Sequence, residues 1–147
     1  MPRSELAAEL QRMAERAAGP GGQAAAQAMA LAGERAIKLK LSRYQHPRRT
    51  PTPSPPGQPP AVVTGTLRRS VITQVPTGGA GRWIGSVAPT AVYSRIQELG
   101  GATGRGHHVL LPARPYVAPA VEELRRSGEL GRVGQVAFAR VVFGMVG

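Results

Sequence analysis

The sequence predicts an α+β fold, with helices at the N-terminus, a small antiparallel sheet carrying a short helix, and a helix at the C-terminus. Three observations lead there. Alanine- and leucine-rich stretches with helical spacing occupy both ends, β-branched runs separated by glycine-rich turns fill the middle, and a proline-dense stretch stands between the two kinds of pattern. The chain divides on this reading into an N-terminal helical region (1–46), a proline-rich arm or linker (47–60) and an α+β domain (61–147).

At the N-terminus, Ser4 is a capping residue for a helix in which Leu6, Leu10, Met13 and Ala17 recur at spacings of four and three, with Arg12, Glu15 and Arg16 toward solvent. Gly19-Pro20-Gly21-Gly22 is expected to break or kink it, because proline lacks the amide hydrogen that a helix interior needs. Gln23 to Ser42 reads as a second helix with Met29, Ala32, Ala36 and Leu39 on one shallow face. Seven of the fourteen residues from Pro47 to Pro60 are proline, so this stretch is extended, either a passive spacer or an arm lying along a neighbour.

Thr64 to Ser70 reads as a short helical turn opened by a threonine cap. It leads into a strand, Val71–Val75, a turn, Pro76–Gly81, and a returning strand, Arg82–Val87, together a β-hairpin. Pro89 to Leu99 carries Ala91-Val92, Ile96 and Leu99 at helical period and ends at Gly100-Gly101, where a helix terminus favours glycine. A GGATGRG loop is then followed by a strand at His108–Leu111 and an extended Pro112–Tyr116 segment. Pro119 suits the first turn of a last helix that turns Val121 and Leu124 inward, and LGRVGQVAFARVVFGMVG is helical by length but ambiguous by pattern.

The 147 residues are enough for one modest core, and with 4% aromatic content that core is thin. Nineteen basic against eight acidic residues give a net charge of +11, with no aspartate. Such a balance favours a polyanion or an acidic protein surface as neighbour, although a GC-rich coding sequence produces the same arginine bias. The absence of cysteine removes disulfides, thiol nucleophiles and thiolate metal sites. Neither a signal-peptide pattern nor a membrane-length apolar run is present, so use in a cytoplasm or in a particle assembled there is expected.

The residues supply no catalytic constellation. Glu122-Glu123 are adjacent on an expected helix and face different directions, and no Ser/Thr has a His-Asp system beside it. His107-His108 lie at a loop edge without further ligands at metal spacing, and the glycine clusters at 78–81 and 100–106 lack the Lys-Ser/Thr of a phosphate-binding loop. No catalytic, cofactor or metal residue is assigned, and no cofactor is expected. Arg48, Arg49, Arg68, Arg69 and Arg105 are the candidates for contact with DNA phosphates or an acidic surface, with a solvated face as the plainer reading. A basic, sequence-nonspecific DNA-binding protein is therefore one reading of the chain.

Three ordered stretches carry a resemblance. They are PPGQPPAVVTGTLRRS at 55–70, Tyr93-Ser94-Arg95-Ile96-Gln97-Glu98-Leu99-Gly100-Gly101, and Leu111-Pro112-Ala113-Arg114-Pro115-Tyr116 followed by Pro119-Ala120. In this order and spacing the chain resembles the neck or tail-completion proteins of long-tailed double-stranded DNA phages, also described as head–tail joining or minor tail components, and more distantly the virion morphogenesis proteins of Mu-like phages. The resemblance covers 55–123; phenylalanine is common in the family where Tyr116 stands, and the long proline arm is a departure. It implies a non-enzymatic α+β subunit of the virion, assembled in the host cytoplasm into a ring of six or twelve copies at the head–tail junction. Its partners would be copies of itself, the connector or stopper, the tail terminator or tail tube, and DNA passing through. It also implies subunit-interface roles for Tyr93, Gln97, Gly100, Arg114, Pro115 and Tyr116, with a role inside the fold equally open for Arg114 through backbone carbonyls or a glutamate.

Overall fold

The computed structural model describes residues 3–44 and 53–145, and it is an α+β chain. Its helices are α1 (Arg3–Arg16), α2 (Gly22–Lys40), α3 (Thr66–Ser70), α4 (Ser94–Leu99), α5 (Val117–Ser127) and α6 (Glu129–Phe143). Its strands form two separate two-stranded sheets, β1 (Val71–Gly79) with β2 (Arg82–Pro89) and β3 (Gly101–Thr103) with β4 (Val109–Leu111). Spatially the chain makes two compact units, each drawn from both sides of the proline segment: Met1–Ala32, Thr73–Ser86 and Gly128–Gly147 in one, Gly33–Ile72 and Val87–Ser127 in the other.

In the first unit, the expected break between the N-terminal helices is a π-helical turn, Ala17–Gly21, through which the helical course continues. Pro20 has no amide hydrogen to return to Arg16, and the Gly22 N–H reaches back to the Ala17 carbonyl, so the wider turn absorbs the missing bond. Gly21 is buried beneath Val142 and Phe138 of α6, and the Trp83 indole N–H donates to the Ala18 carbonyl at 2.8 Å. These contacts hold a sequence that would otherwise fray.

The buried face of α2 is not the expected one. Ala26, Ala30, Gly33, Ile37 and Leu41 are buried, whereas of the expected face Met29, Ala32 and Ala36 are half-buried and Leu39 is exposed. Close approach of a backbone is the cause: a Cβ on Gly85 of β2 would lie 2.2 Å from the Ala26 carbonyl oxygen and 3.1 Å from the Ala30 methyl. Only the smallest side chains on both elements allow that distance.

The β1–β2 hairpin is longer than expected, and its turn shrinks to Ala80-Gly81, both at positive φ (50° and 81°), the mirror-type geometry that matches strand twist. Alanine is strained there. Ala80→Asn is expected to stabilise the protein by about 0.5–1 kcal/mol, read as a higher urea midpoint.

The second unit holds the core: Ile37, Leu41, Val71, Tyr116 and Ala120, with Ala36, Leu67, Val87 and Val117 packed against it. α3 begins after Gly65, and Thr64 Oγ1 accepts the Thr66 N–H at 3.4 Å. The base of the hairpin is tied here, the Thr90 N–H and hydroxyl both donating to the Ser70 carbonyl at 2.9 and 3.0 Å. The helix expected from Pro89 starts only at Ser94, because β2 runs on to Pro89, and Val92 is 99% exposed rather than inward. The GGATGRG loop is in part a strand: Gly101, Ala102 and Thr103 pair antiparallel with Leu111, Leu110 and Val109. His107 sits in the Arg105–His107 turn at φ 55° and His108 precedes β4, so neither lies on a strand. α5 starts at Val117, and while Leu124 is buried, Val121 is exposed.

Candidate functional site

The three stretches singled out in the sequence meet in the second unit. From the first, the Gly57 N–H donates to the Ala113 carbonyl at 2.9 Å, while the buried Arg114 side chain donates through Nε to the carbonyl of Ser54, just before it, at 3.0 Å. From the second, the Gln97 carbonyl accepts the Arg114 N–H at 2.8 Å. The first and second also line a cavity of about 160 Å³ together, through Val63, Thr66 and Leu67 on one side and Tyr93 and Gln97 on the other. The described part of the proline segment is accordingly folded onto its own unit, with Ser54 and Pro59 buried and the Tyr44 hydroxyl donating to Gln58 Oε1 at 3.0 Å.

Glu98 is the fastening that the sequence reading missed. Its Oε2 accepts the Tyr116 and Val117 N–H groups at 2.7 and 3.0 Å, and its Oε1 accepts the Ala118 N–H at 2.9 Å. A helix start leaves amide hydrogens without partners, and a carboxylate there also meets the positive end of the helix dipole. One signal was available: Pro115-Tyr116 ahead of α5 offers no Ser, Thr, Asp or Asn to cap it, so the cap had to come from elsewhere.

The expected interface residues divide accordingly. Tyr93 is exposed, Gln97, Gly100 and Pro115 are half-buried, and Arg114 and Tyr116 are buried at 8% and 0% exposure. Neither Arg114 nor Tyr116 is available to a neighbour from where it stands. Arg114 has turned inward onto the Ser54 carbonyl, and Tyr116 fills the core while its hydroxyl donates to the Ser94 carbonyl at 3.3 Å. Burial, and then the nearby charge of Glu98, push the Tyr116 phenol up to about 12. Gly100 makes the corner between α4 and β3 at φ 70°, where a Cβ would sit 2.7 Å from the Ala113 nitrogen.

Of the expected basic contacts, Arg48 and Arg49 lie outside the described residues. Arg68 and Arg69 are exposed on α3, Arg68 donating to Ser42 Oγ at 3.0 Å, and Arg105 is exposed in the turn before β4. Glu122 and Glu123 take different partners, Arg126 at 3.0 Å and Lys40 at 2.6 Å, and the Lys40 ammonium holds the Glu123 carboxyl below its usual range. Among the described residues no group of three or more His, Cys, Asp or Glu side chains could hold a metal ion, and no helix is long and apolar enough to cross a membrane.

The second unit also presents apolar side chains outward: Val92, Leu99, Val109 and Leu110 are exposed, Leu110 at 79%. A groove of about 550 Å³ runs between α4 and α5, lined by Pro89, Leu99, Tyr116, Val117 and Val121 with Arg95 and Arg125 among its polar residues. The chain matches no protein-family model, no curated protein and no solved structure.

Proposed function

We propose that the protein is a structural subunit of a long-tailed phage virion, placed at the head–tail junction, where copies form a ring between the head connector or stopper and the tail. Its function on this reading is a binding geometry and no reaction. The observation that carries it is the meeting of the three family-like stretches in one unit, joined through the Arg114 and Glu98 hydrogen bonds. The exposed apolar side chains of a thin-cored chain add support, since a ring subunit completes its burial on its neighbours.

The test is electron microscopy of lysates from a phage carrying a stop codon in this gene. DNA-filled heads beside free tails are the expected result; normal joined virions would remove the joining role. The net charge of +11 and the exposed Arg68, Arg69 and Arg105 favour a second reading, a sequence-nonspecific DNA-binding protein. That reading requires DNA affinity that falls steeply with salt.

A further inference from the structure

The positive charge of the chain is unevenly placed. The second unit holds thirteen Lys and Arg against four Glu, while the first holds six against four. All four glutamates of the second unit are engaged: Glu34 by Lys38, Glu98 by three backbone amides, Glu122 by Arg126 and Glu123 by Lys40.

Within that unit, cations gather where the end of α2 meets α3 and α5. Arg68 of α3 donates to Ser42 Oγ at 3.0 Å, which sets α3 against the residues that follow α2. Next to Ser42, the Arg43 guanidinium stands 5.8 Å from the centre of the Tyr44 ring, within cation–π reach. The Arg69 guanidinium lies over Gly65, where a Cβ would meet its Nη1 at 3.3 Å, and the mutually bonded Thr64 and Thr66 hydroxyls flank that glycine. Lys40 reaches across to Glu123 of α5, and Arg126 and Arg43 are near enough to help lower the same carboxyl. Lys40, Arg43, Arg68, Arg69 and Arg126 thus outnumber Glu122 and Glu123. Arg43, Arg68 and Arg69 are exposed and pair with no carboxylate among the described residues.

We infer that Arg43, Arg68 and Arg69 form a contact surface for the phosphate backbone of duplex DNA, with the Thr64 and Thr66 hydroxyls beside them. The planar arginine fork matches a phosphate, and hydroxyl side chains commonly share such contacts. Single-stranded bases need a row of open aromatic faces, and here the Tyr44 ring is taken up by Arg43 and Tyr93 stands alone. Helix α3, with five residues, is too short to carry base-reading side chains along a groove, so the contact has no sequence preference. The inference rests on the DNA-binding reading above and gives it a face; it holds with or without a ring.

Fluorescence anisotropy with a short labelled duplex of mixed sequence, titrated with the full-length protein at several salt concentrations, counts phosphate contacts as the slope of log K against log salt. Arg43→Gln/Arg68→Gln/Arg69→Gln is expected to make that slope shallower by about 3, about 1 for each arginine, and equally so on a second duplex of different sequence. Lysine at the same three positions keeps the charge and is expected to keep the slope; its loss there too would make the arginines structural and overturn the inference. Arg16→Gln/Arg132→Gln/Arg140→Gln removes the same charge from exposed positions of the first unit and is expected to leave the slope unchanged. A slope unaltered by the first glutamine variant, or lowered as much by the second, overturns the face while DNA binding itself stands. Absence of salt-dependent binding by the wild type overturns the DNA-binding reading with it. Tighter capture of polyglutamate, or of a single strand of equal length, than of the duplex at the same salt gives the face another partner and also overturns the inference.

Discussion

Replacing Tyr116 with alanine is expected to cost about 3–5 kcal/mol, the range for truncating a fully buried aromatic side chain. Among the described residues Tyr116 is the largest side chain buried completely, and the aliphatic side chains around it, Ile37, Leu41, Val71 and Ala120, are too small to refill the space. Single domains are stable by only about 5–15 kcal/mol, so the loss is a large share of the total. Urea unfolding followed by circular dichroism reads it directly, and an unchanged midpoint would mean that the core is elsewhere.

The same residue sets an alkaline limit. Its phenol is pushed up to about 12 in the folded chain, first by burial and then by Glu98, from an unfolded value near 10. Below about pH 10 both states keep the proton, so this group's contribution is fully present and does not change with pH. Between about pH 10 and 12 the unfolded chain ionises first, so this contribution, about 2–3 kcal/mol in full, is lost as pH rises. Tyr116→Phe removes the titrating group along with a hydrogen bond to Ser94, and its stability is expected to fall less steeply across that window than the wild type's. Parallel pH curves for the two proteins would place the alkaline loss in other groups.

Legibility in the sequence followed the range of the interactions. α1 and α2 were readable within a few residues because helical spacing and the Gly19–Gly22 run are local signals, and so was the β1–β2 hairpin with its β-branched runs. The face that α2 buries was not readable, because it is chosen by the backbone of Gly85, some fifty-five residues beyond Ala30. β3 was missed for a related reason. Gly101-Ala102-Thr103 has no strand pattern of its own and is extended because β4 pairs with it. At the site, the three stretches were visible as an ordered set, but their burial was not. Arginine and tyrosine are commonly surface or interface residues, and only the approach of Ser54 to Arg114 and of Ile37 and Leu41 to Tyr116 draws these two inward. The outward side chains were hidden by the same logic, since Val92 and Leu110 look like core residues until the fold leaves them without cover.

Removing the Glu98 carboxylate is expected to have the second largest effect, and a more local one. In Glu98→Ala the Tyr116, Val117 and Ala118 amides, now bonded at 2.7, 3.0 and 2.9 Å, lose their acceptor together. Loss of a helix cap costs about 0.5–2 kcal/mol, and this one also gives up a negative charge at the helix start, so about 2 kcal/mol is expected. Pro115 and Tyr116 carry no side chain that could take over the cap. Glu98→Gln keeps one carbonyl oxygen and should lose about half as much. Hydrogen exchange separates this from general destabilisation: the amides of residues 116–118 should lose protection by about tenfold or more in Glu98→Ala, while those in the middle of α2 follow only the global change. Because Glu98 stands on α4 and its bonds lie on α5, its loss loosens both walls of the groove. Full protection at 116–118 in the alanine variant would show that another group caps α5 in solution.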